Sequence, residues 1–138
     1  MKRTLLVLLL TITPFAFAAS PEDEAKITAA ALDYAEGWYS GDAARMERAV
    51  HPELAKRIAA RGELQKMGAS ELIDGTANGY GRKTPVEKQQ KDVKILDVFG
   101  NAASVRLEMG AWIDYMHLAK IGNEWKIVNV LWEMKARQ

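Results

Sequence analysis

The chain has 138 residues, with 19 lysines and arginines against 18 acidic residues, two histidines and no cysteine. This near-neutral balance argues against a nucleic-acid or anionic-membrane partner, since both are held by an excess of cationic side chains. The missing cysteines exclude disulfide staples, thiol catalysis and cysteine-based metal sites, so the hydrophobic core must hold the fold by itself.

The N-terminus reads MKRTLLVLLLTITPFAFAAS. Lys2 and Arg3 form a positive start, Leu5 to Ile12 a short apolar run, and Ala16-Phe17-Ala18 a small-x-small cleavage site. A membrane span needs roughly 20 apolar residues, and Thr11, Thr13 and Pro14 interrupt this run too early. Residues 1–18 are therefore expected to be a cleaved export signal, placing the mature protein in the periplasm or outside the cell. Removing Lys2 and Arg3 leaves 17 basic against 18 acidic residues, a formal −1, in a single expected domain spanning residues 19–138.

Ser20 as a cap, Pro21 at the first helical position and the acids Glu22, Asp23 and Glu24 predict a helix start. Ile27, Ala31, Tyr34 and Trp38 fall on one face of that helix, and Ser40-Gly41 ends it. Asp42 then caps a second helix carrying Met46, Ala49 and Val50, which His51-Pro52 stops. Pro52 to Ala60 is expected to be a third short helix, with Leu54 and Ile58 inward and Lys56, Arg57 and Arg61 outward; Gly62 closes it. Another helical stretch follows Gly68-Ala69-Ser70 through Glu71-Leu72-Ile73. Residues 82–91 form a polar connection with room for an edge strand around Thr84 to Lys88.

The last third organises the chain. Gly100-Asn101 and Gly122-Asn123 sit between β-branched and aromatic runs, a hairpin-turn signal. Gly110 breaks the long segment between them. Four antiparallel strands follow, near 92–99, 102–109, 112–121 and 125–134. Helices first and strands later indicate an α+β domain with helices on one face of an antiparallel sheet. A two-residue second turn puts Ile113, Tyr115, His117, Val128, Val130 and Trp132 on one face. Trp112, Asp114, Met116, Leu118, Ile127, Asn129 and Leu131 take the other; a three-residue turn would instead set His117 opposite Asn129. With apolar residues on both faces, the helices cover one and a second subunit is expected to cover the other, giving a homodimer through the sheet.

The chemistry available is narrow. His117, mid-strand among apolar neighbours, is either a core histidine satisfied by one hydrogen bond or a pocket acid or base. His51 is placed at a helix end, near free carbonyls. Asp114 and Glu108 are carboxylates inside strands; Asp114, beside Trp112, Met116 and Leu118, is a candidate acid or base, or else pairs with an arginine or sits at a strand end near Gly110. Tyr34, Trp38, Tyr39, Trp112, Tyr115 and Trp132 serve core packing or line a cavity. Two isolated histidines give no metal site, and no nucleotide or cofactor motif appears, so no metal and no cofactor are expected.

Four stretches, DYAEGWYSGD from Asp33, AVHPELAKRI from Ala49, LDVFGNAASV from Leu96 and DYMHLAKIGNEWKIVNVLWE from Asp114, resemble the putative lumazine-binding family of the nuclear transport factor two-like superfamily. The resemblance implies a cone-shaped, cystatin-like fold with N-terminal helices packed on a curved antiparallel sheet. The superfamily spans ketosteroid isomerase, polyketide cyclases, dehydratases and non-catalytic binding or assembly domains. On that pattern Tyr34 corresponds to the first-helix tyrosine of the isomerase-like members, and Asp114 occupies a comparable wall. The favoured expectation is an exported binding protein whose pocket, between the first helix and the sheet, holds a planar small molecule against Tyr34, Trp38, Trp112, Asp114 and His117. One alternative is an isomerase- or cyclase-like enzyme using Asp114 or His117 as base and Tyr34 as donor to an oxyanion; another is a non-catalytic dimeric interaction module.

Overall fold

The computed structural model describes residues 19–136. The expected export signal lies outside the described residues. Among those described, no helix is long and apolar enough to cross a membrane. The element order is α1 (Pro21–Ser40), α2 (Ala43–Ala49), β1 (Val50–Ala60), β2 (Glu63–Met67), α3 (Ala69–Ala77), 3₁₀ turns at Gly81–Lys83 and Val86–Lys88, then β3 (Lys91–Phe99), β4 (Ala102–Met109), β5 (Trp112–Ile121) and β6 (Glu124–Met134).

The first two helices begin and end where local chemistry dictates. The Ser20 hydroxyl accepts from the Asp23 amide at 3.1 Å, and the Asp42 carboxylate accepts from the Arg45 amide at 3.0 Å. Gly41 caps α1 with φ 70°, a conformation that disfavours a side chain. Ile27, Ala31, Tyr34 and Ala35 on α1 pack into a core with Val105, Leu107, Met116, Leu118, Ile127 and Val130 from the sheet.

The six strands lie in the order β2-β1-β6-β5-β4-β3. Both expected Gly-Asn hairpins form: Phe99 pairs with Ala102 and Ile121 with Glu124, and Gly100 and Gly122 adopt φ 56° and 63°. Positive φ at the first turn residue alone is the type II′ pattern, whose twist matches that of the strands. Gly110 does separate β4 from β5. A Cβ there would overlap the Lys88 carbonyl oxygen, and its amide donates to the Tyr39 hydroxyl at 3.0 Å.

Three expectations are corrected. Residues 52–60 form no helix: they belong to β1, which pairs parallel with β6 and antiparallel with β2. The sheet is therefore mixed rather than antiparallel throughout. Ala, Leu, Lys and Arg favour helix locally, but the ladders on both sides override that propensity. Arg61-Gly62, with φ 55° and 79°, turns β1 into β2 instead of closing a helix. Thr84 to Lys88 holds no edge strand, only a 3₁₀ turn.

The third correction is in register. β5 and β6 pair as a two-residue turn requires up to Leu118 with Ile127, and then a bulge at Val128 shifts the ladder so that His117 faces Asn129. One extra residue swaps the faces of everything beyond it. Val130 and Trp132 accordingly join Trp112, Asp114 and Met116 on the inner face, while Asn129 and Leu131 join Ile113, Tyr115 and His117 outside. The outer face is not apolar throughout. One cross-strand row runs Lys94, Arg106, Tyr115, Leu131, Arg57, Lys66.

The start of α1 is clamped to the sheet by one carboxylate. Asp23 meets the Lys120 ammonium at 2.8 Å and accepts from the Trp125 indole at 2.8 Å. The Lys120 hydrogen bond, followed by that of Trp125, holds the Asp23 carboxyl at about 2, below its ordinary 3.8. Because the folded value is the lower one, this stabilisation is complete above pH 3.8 and is lost as pH falls toward 2. Thermal melts across that window should show Asp23→Asn losing less stability on acidification than the parent does; equal losses would remove Asp23 from the account.

Candidate functional site

Between α1 and the inner face lies a cavity of about 240 Å³, lined by Tyr34, Trp38, Lys56, Met67, Leu72, Trp112, Trp132 and Met134. The aromatic and charged side chains have local reasons to point there. Tyr34 and Trp38 are one helical turn apart on α1, so they lie on one face of the helix. Trp112 and Asp114 are two apart on β5 and share a side of the sheet. Trp132 reaches the same side only because of the Val128 bulge. Lys56 alternates inward with Leu54 along β1.

The walls are aromatic. Trp112 stands edge-on to Trp38 at 6.4 Å and to Trp132 at 6.2 Å between ring centroids, with interplanar angles of 88° and 72°. Such T-shaped contacts place ring edges against ring faces, as the aromatic quadrupole prefers. Met67, Leu72 and Met134 complete an apolar lining that admits a flat apolar surface and gives little to a charged one.

The floor carries the site's polar groups. Asp114 is fully buried, and Lys56 is 7% exposed. The Lys56 ammonium lies 2.6 Å from Asp114 Oδ1 and donates to the Tyr34 hydroxyl at 2.7 Å. The Trp112 indole N–H donates to Asp114 Oδ2 at 2.9 Å. Lys56 Nζ also sits 4.9 Å from the centroid of the Trp132 ring and 5.4 Å from that of Tyr34, within cation–π range. Both oxygens of Asp114 are thus engaged. An ammonium has three N–H donors, so Lys56 keeps one unspent, and among the described residues the Tyr34 hydroxyl donates to no acceptor.

Burial pulls the Lys56 ammonium below its ordinary value, opposed by the Asp114 charge and hydrogen bond. Burial, and then the Asp114 charge, push the Tyr34 hydroxyl well above its own. Tyr34 therefore stays protonated and serves as a donor at any physiological pH. Among the described residues no group of three His, Asp or Glu is placed to hold a metal ion.

Of the residues expected at a pocket, Tyr34, Trp38, Trp112 and Asp114 come together. His117 does not: it is exposed on the outer face, opposite Asn129, so it is neither a core histidine nor part of this cavity. His51 caps no helix; it is the second residue of β1, and its Nδ1 accepts from the Glu53 amide at 3.2 Å. Glu108 is also outside, bridged to Arg106 at 2.8 Å and Lys135 at 2.9 Å. Sequence reasoning missed Lys56, which a helical assignment turns outward, and set Trp132 on the wrong face. The available signal was the two-residue alternation Leu54, Lys56, Ile58, with a lysine at an inward position.

Removing one partner of a buried ion pair leaves an uncompensated charge, at a typical cost of about 3–5 kcal/mol. Lys56→Met should be destabilised on that scale in urea unfolding. Adding Asp114→Asn, which retains an acceptor for Trp112, should restore at least half of the loss. A Lys56→Met variant as stable as the parent would contradict a buried, ionised pair.

The sequence profile of the putative lumazine-binding family matches residues 22–133. No curated protein matches the chain. Among solved structures, a nuclear transport factor two-like protein of unknown function from Silicibacter pomeroyi superposes with a TM-score of 0.69 at 18% identity, covering 86% of this chain and 100% of that one. Another from Methylobacillus flagellatus gives 0.68 at 23% identity, over 86% and 96%. A nuclear transport factor two-like protein with a cystatin-like fold from Novosphingobium aromaticivorans gives 0.63 at 14% identity, over 82% of each chain. These likenesses establish the fold, and the profile match establishes the family. The chain belongs to the putative lumazine-binding family and has the α+β, nuclear transport factor two-like fold.

Proposed function

We propose that the protein is an exported binding protein for a small, neutral, planar molecule bearing a hydrogen-bond acceptor. The observation that carries this is the cavity's lining: three tryptophans form its walls, and Lys56 and Tyr34, each with one donor that no described residue uses, are among the residues that line it. A carbonyl placed there satisfies both donors, while the rest of the ring system lies against Trp38, Trp112 and Trp132. The Lys56–Asp114 pair sums to zero charge, which favours a neutral ligand over an anion. At about 240 Å³ the cavity falls just under the range of about 300–1,000 Å³ usual for drug-sized ligands, so a compact bicyclic ring suits it. Lumazine, a planar pteridine with two ring carbonyls, has this chemistry, and the family description is consistent with it.

The isomerase- or cyclase-like alternative is less well supported. Asp114 has both oxygens engaged, and His117 is on the other side of the sheet. Neither is placed as a free base facing a ligand.

Titration with lumazine should quench tryptophan fluorescence saturably, and Trp38→Leu should weaken binding about ten-fold, the loss of one stacking contact with its buried area. Native mass spectrometry of protein recovered outside the cytoplasm should find chains beginning at Ala19. Absence of saturable quenching and of any retained small molecule would sink the binding function, and an uncleaved chain would sink export.

The outer face supports a homodimer. Tyr115 and Leu131, 48% and 54% exposed, sit at its centre within a row of cations. Asp92, Glu108 and Glu133 fall in the adjacent row. A two-fold axis through the face sets one copy's basic row against the other's acidic row, the self-complementarity that such an interface requires. Light scattering should report a dimer for the parent and a monomer for Tyr115→Glu; a monomeric parent at high protein concentration would rule this interface out.

A further inference from the structure

The pair at the cavity floor raises a question that ligand binding alone does not answer. A lysine is an unusual choice for a donor beneath tryptophan walls, because an amide or hydroxyl gives the same hydrogen bond without the desolvation of a charge. An amine can also react. We propose that Lys56 condenses with the carbonyl carbon of an aldehyde- or ketone-bearing planar ligand, forming an imine at the base of the Trp38–Trp112–Trp132 cavity; this rests on the same cavity being a ligand site.

The geometry supplies each part that the condensation needs. Lys56 is one of the residues lining the cavity, and its Nζ makes two of the three hydrogen bonds an ammonium can make. Asp114 Oδ1, 2.6 Å away, is in place to take a proton from the ammonium. The Tyr34 hydroxyl, 2.7 Å from Nζ, can donate to the carbonyl oxygen and polarise it. Desolvation favours the uncharged amine and so enlarges the nucleophilic fraction, as it does for reactive lysines in apolar pockets.

The step balances without any further reactant. The ammonium passes a proton to Asp114, and the freed lone pair on Nζ attacks the carbonyl carbon while the C=O π electrons move to oxygen. A proton shifts from nitrogen to that oxygen, giving a carbinolamine. The Tyr34 hydroxyl gives its proton to that new hydroxyl, the C–O bond breaks, water leaves and the C=N bond forms; Tyr34 then recovers a proton from Nζ, and Nζ recovers one from Asp114. The protonated imine then faces the Asp114 carboxylate, as the ammonium did before. The buried pair begins and ends at zero net charge, so the low-dielectric site hosts no new uncompensated ion.

Treating the mature protein with 2-naphthaldehyde and sodium cyanoborohydride, which reduces imines to stable secondary amines, tests this directly. Peptide mapping should find the adduct on Lys56, formed severalfold faster than on exposed Lys66 and Lys94. Lys56→Arg keeps the cation and its partner but cannot form an imine; it should fold and lose the fast adduct. Saturable quenching with adducts only on exposed lysines would overturn the imine while leaving the pocket standing. No saturable quenching in the parent would overturn the pocket and the imine together.

Discussion

A lysine ammonium and an aspartate carboxylate, 2.6 Å apart and shut from water, are the constraint on which the rest of this cavity depends. Taking both charges out of water is expensive, and the attraction between them repays that only when their remaining hydrogen-bonding positions are also used. Here they nearly all are. The Trp112 indole donates to the second oxygen of Asp114, and the Tyr34 oxygen accepts from a second N–H of Lys56. An apolar replacement of similar volume would stabilise the fold as well or better. The pair is therefore better explained by what it presents to the cavity than by what it adds to stability.

Two backbone features bring that pair and its walls together. The Arg61-Gly62 turn folds β2 back along β1, which fixes β1 between β2 and β6 and holds Lys56 on the inner side. The bulge at Val128 lets β6 keep a tight Gly-Asn turn at one end and deliver Trp132 inward at the other. Without the bulge Trp132 would face out beside Tyr115, and the cavity would lose one wall along with the ring over Lys56. Local irregularities of this kind often re-aim a side chain at a functional position.

The sequence made the regular parts of this arrangement legible. Caps at Ser20, Asp42 and Gly41 and the turns at Gly100 and Gly122 were readable because they depend on a few adjacent residues. Tyr34, Trp38, Trp112 and Asp114 followed from helical and strand periodicity. The stretch from Pro52 to Ala60 was misread because its Ala, Leu, Lys and Arg content favours helix, whereas its strand pairing depends on β6, far along the chain. That single error turned Lys56 outward and hid the ion pair. The Val128 bulge leaves no comparable mark in composition or spacing, so Trp132 and Leu131 were assigned to each other's faces and His117 was credited with an apolar setting that it does not have.

The central claim is that the tryptophan cavity receives a flat ring whose acceptor lands on Lys56 and Tyr34. A crystal structure of the mature protein soaked with lumazine tests it most directly. A planar ligand should lie against Trp38, Trp112 and Trp132, with a ring oxygen at hydrogen-bond distance, about 2.7–3.2 Å, from Lys56 Nζ. An empty cavity at saturating ligand, or a ring bound elsewhere on the molecule, would contradict it.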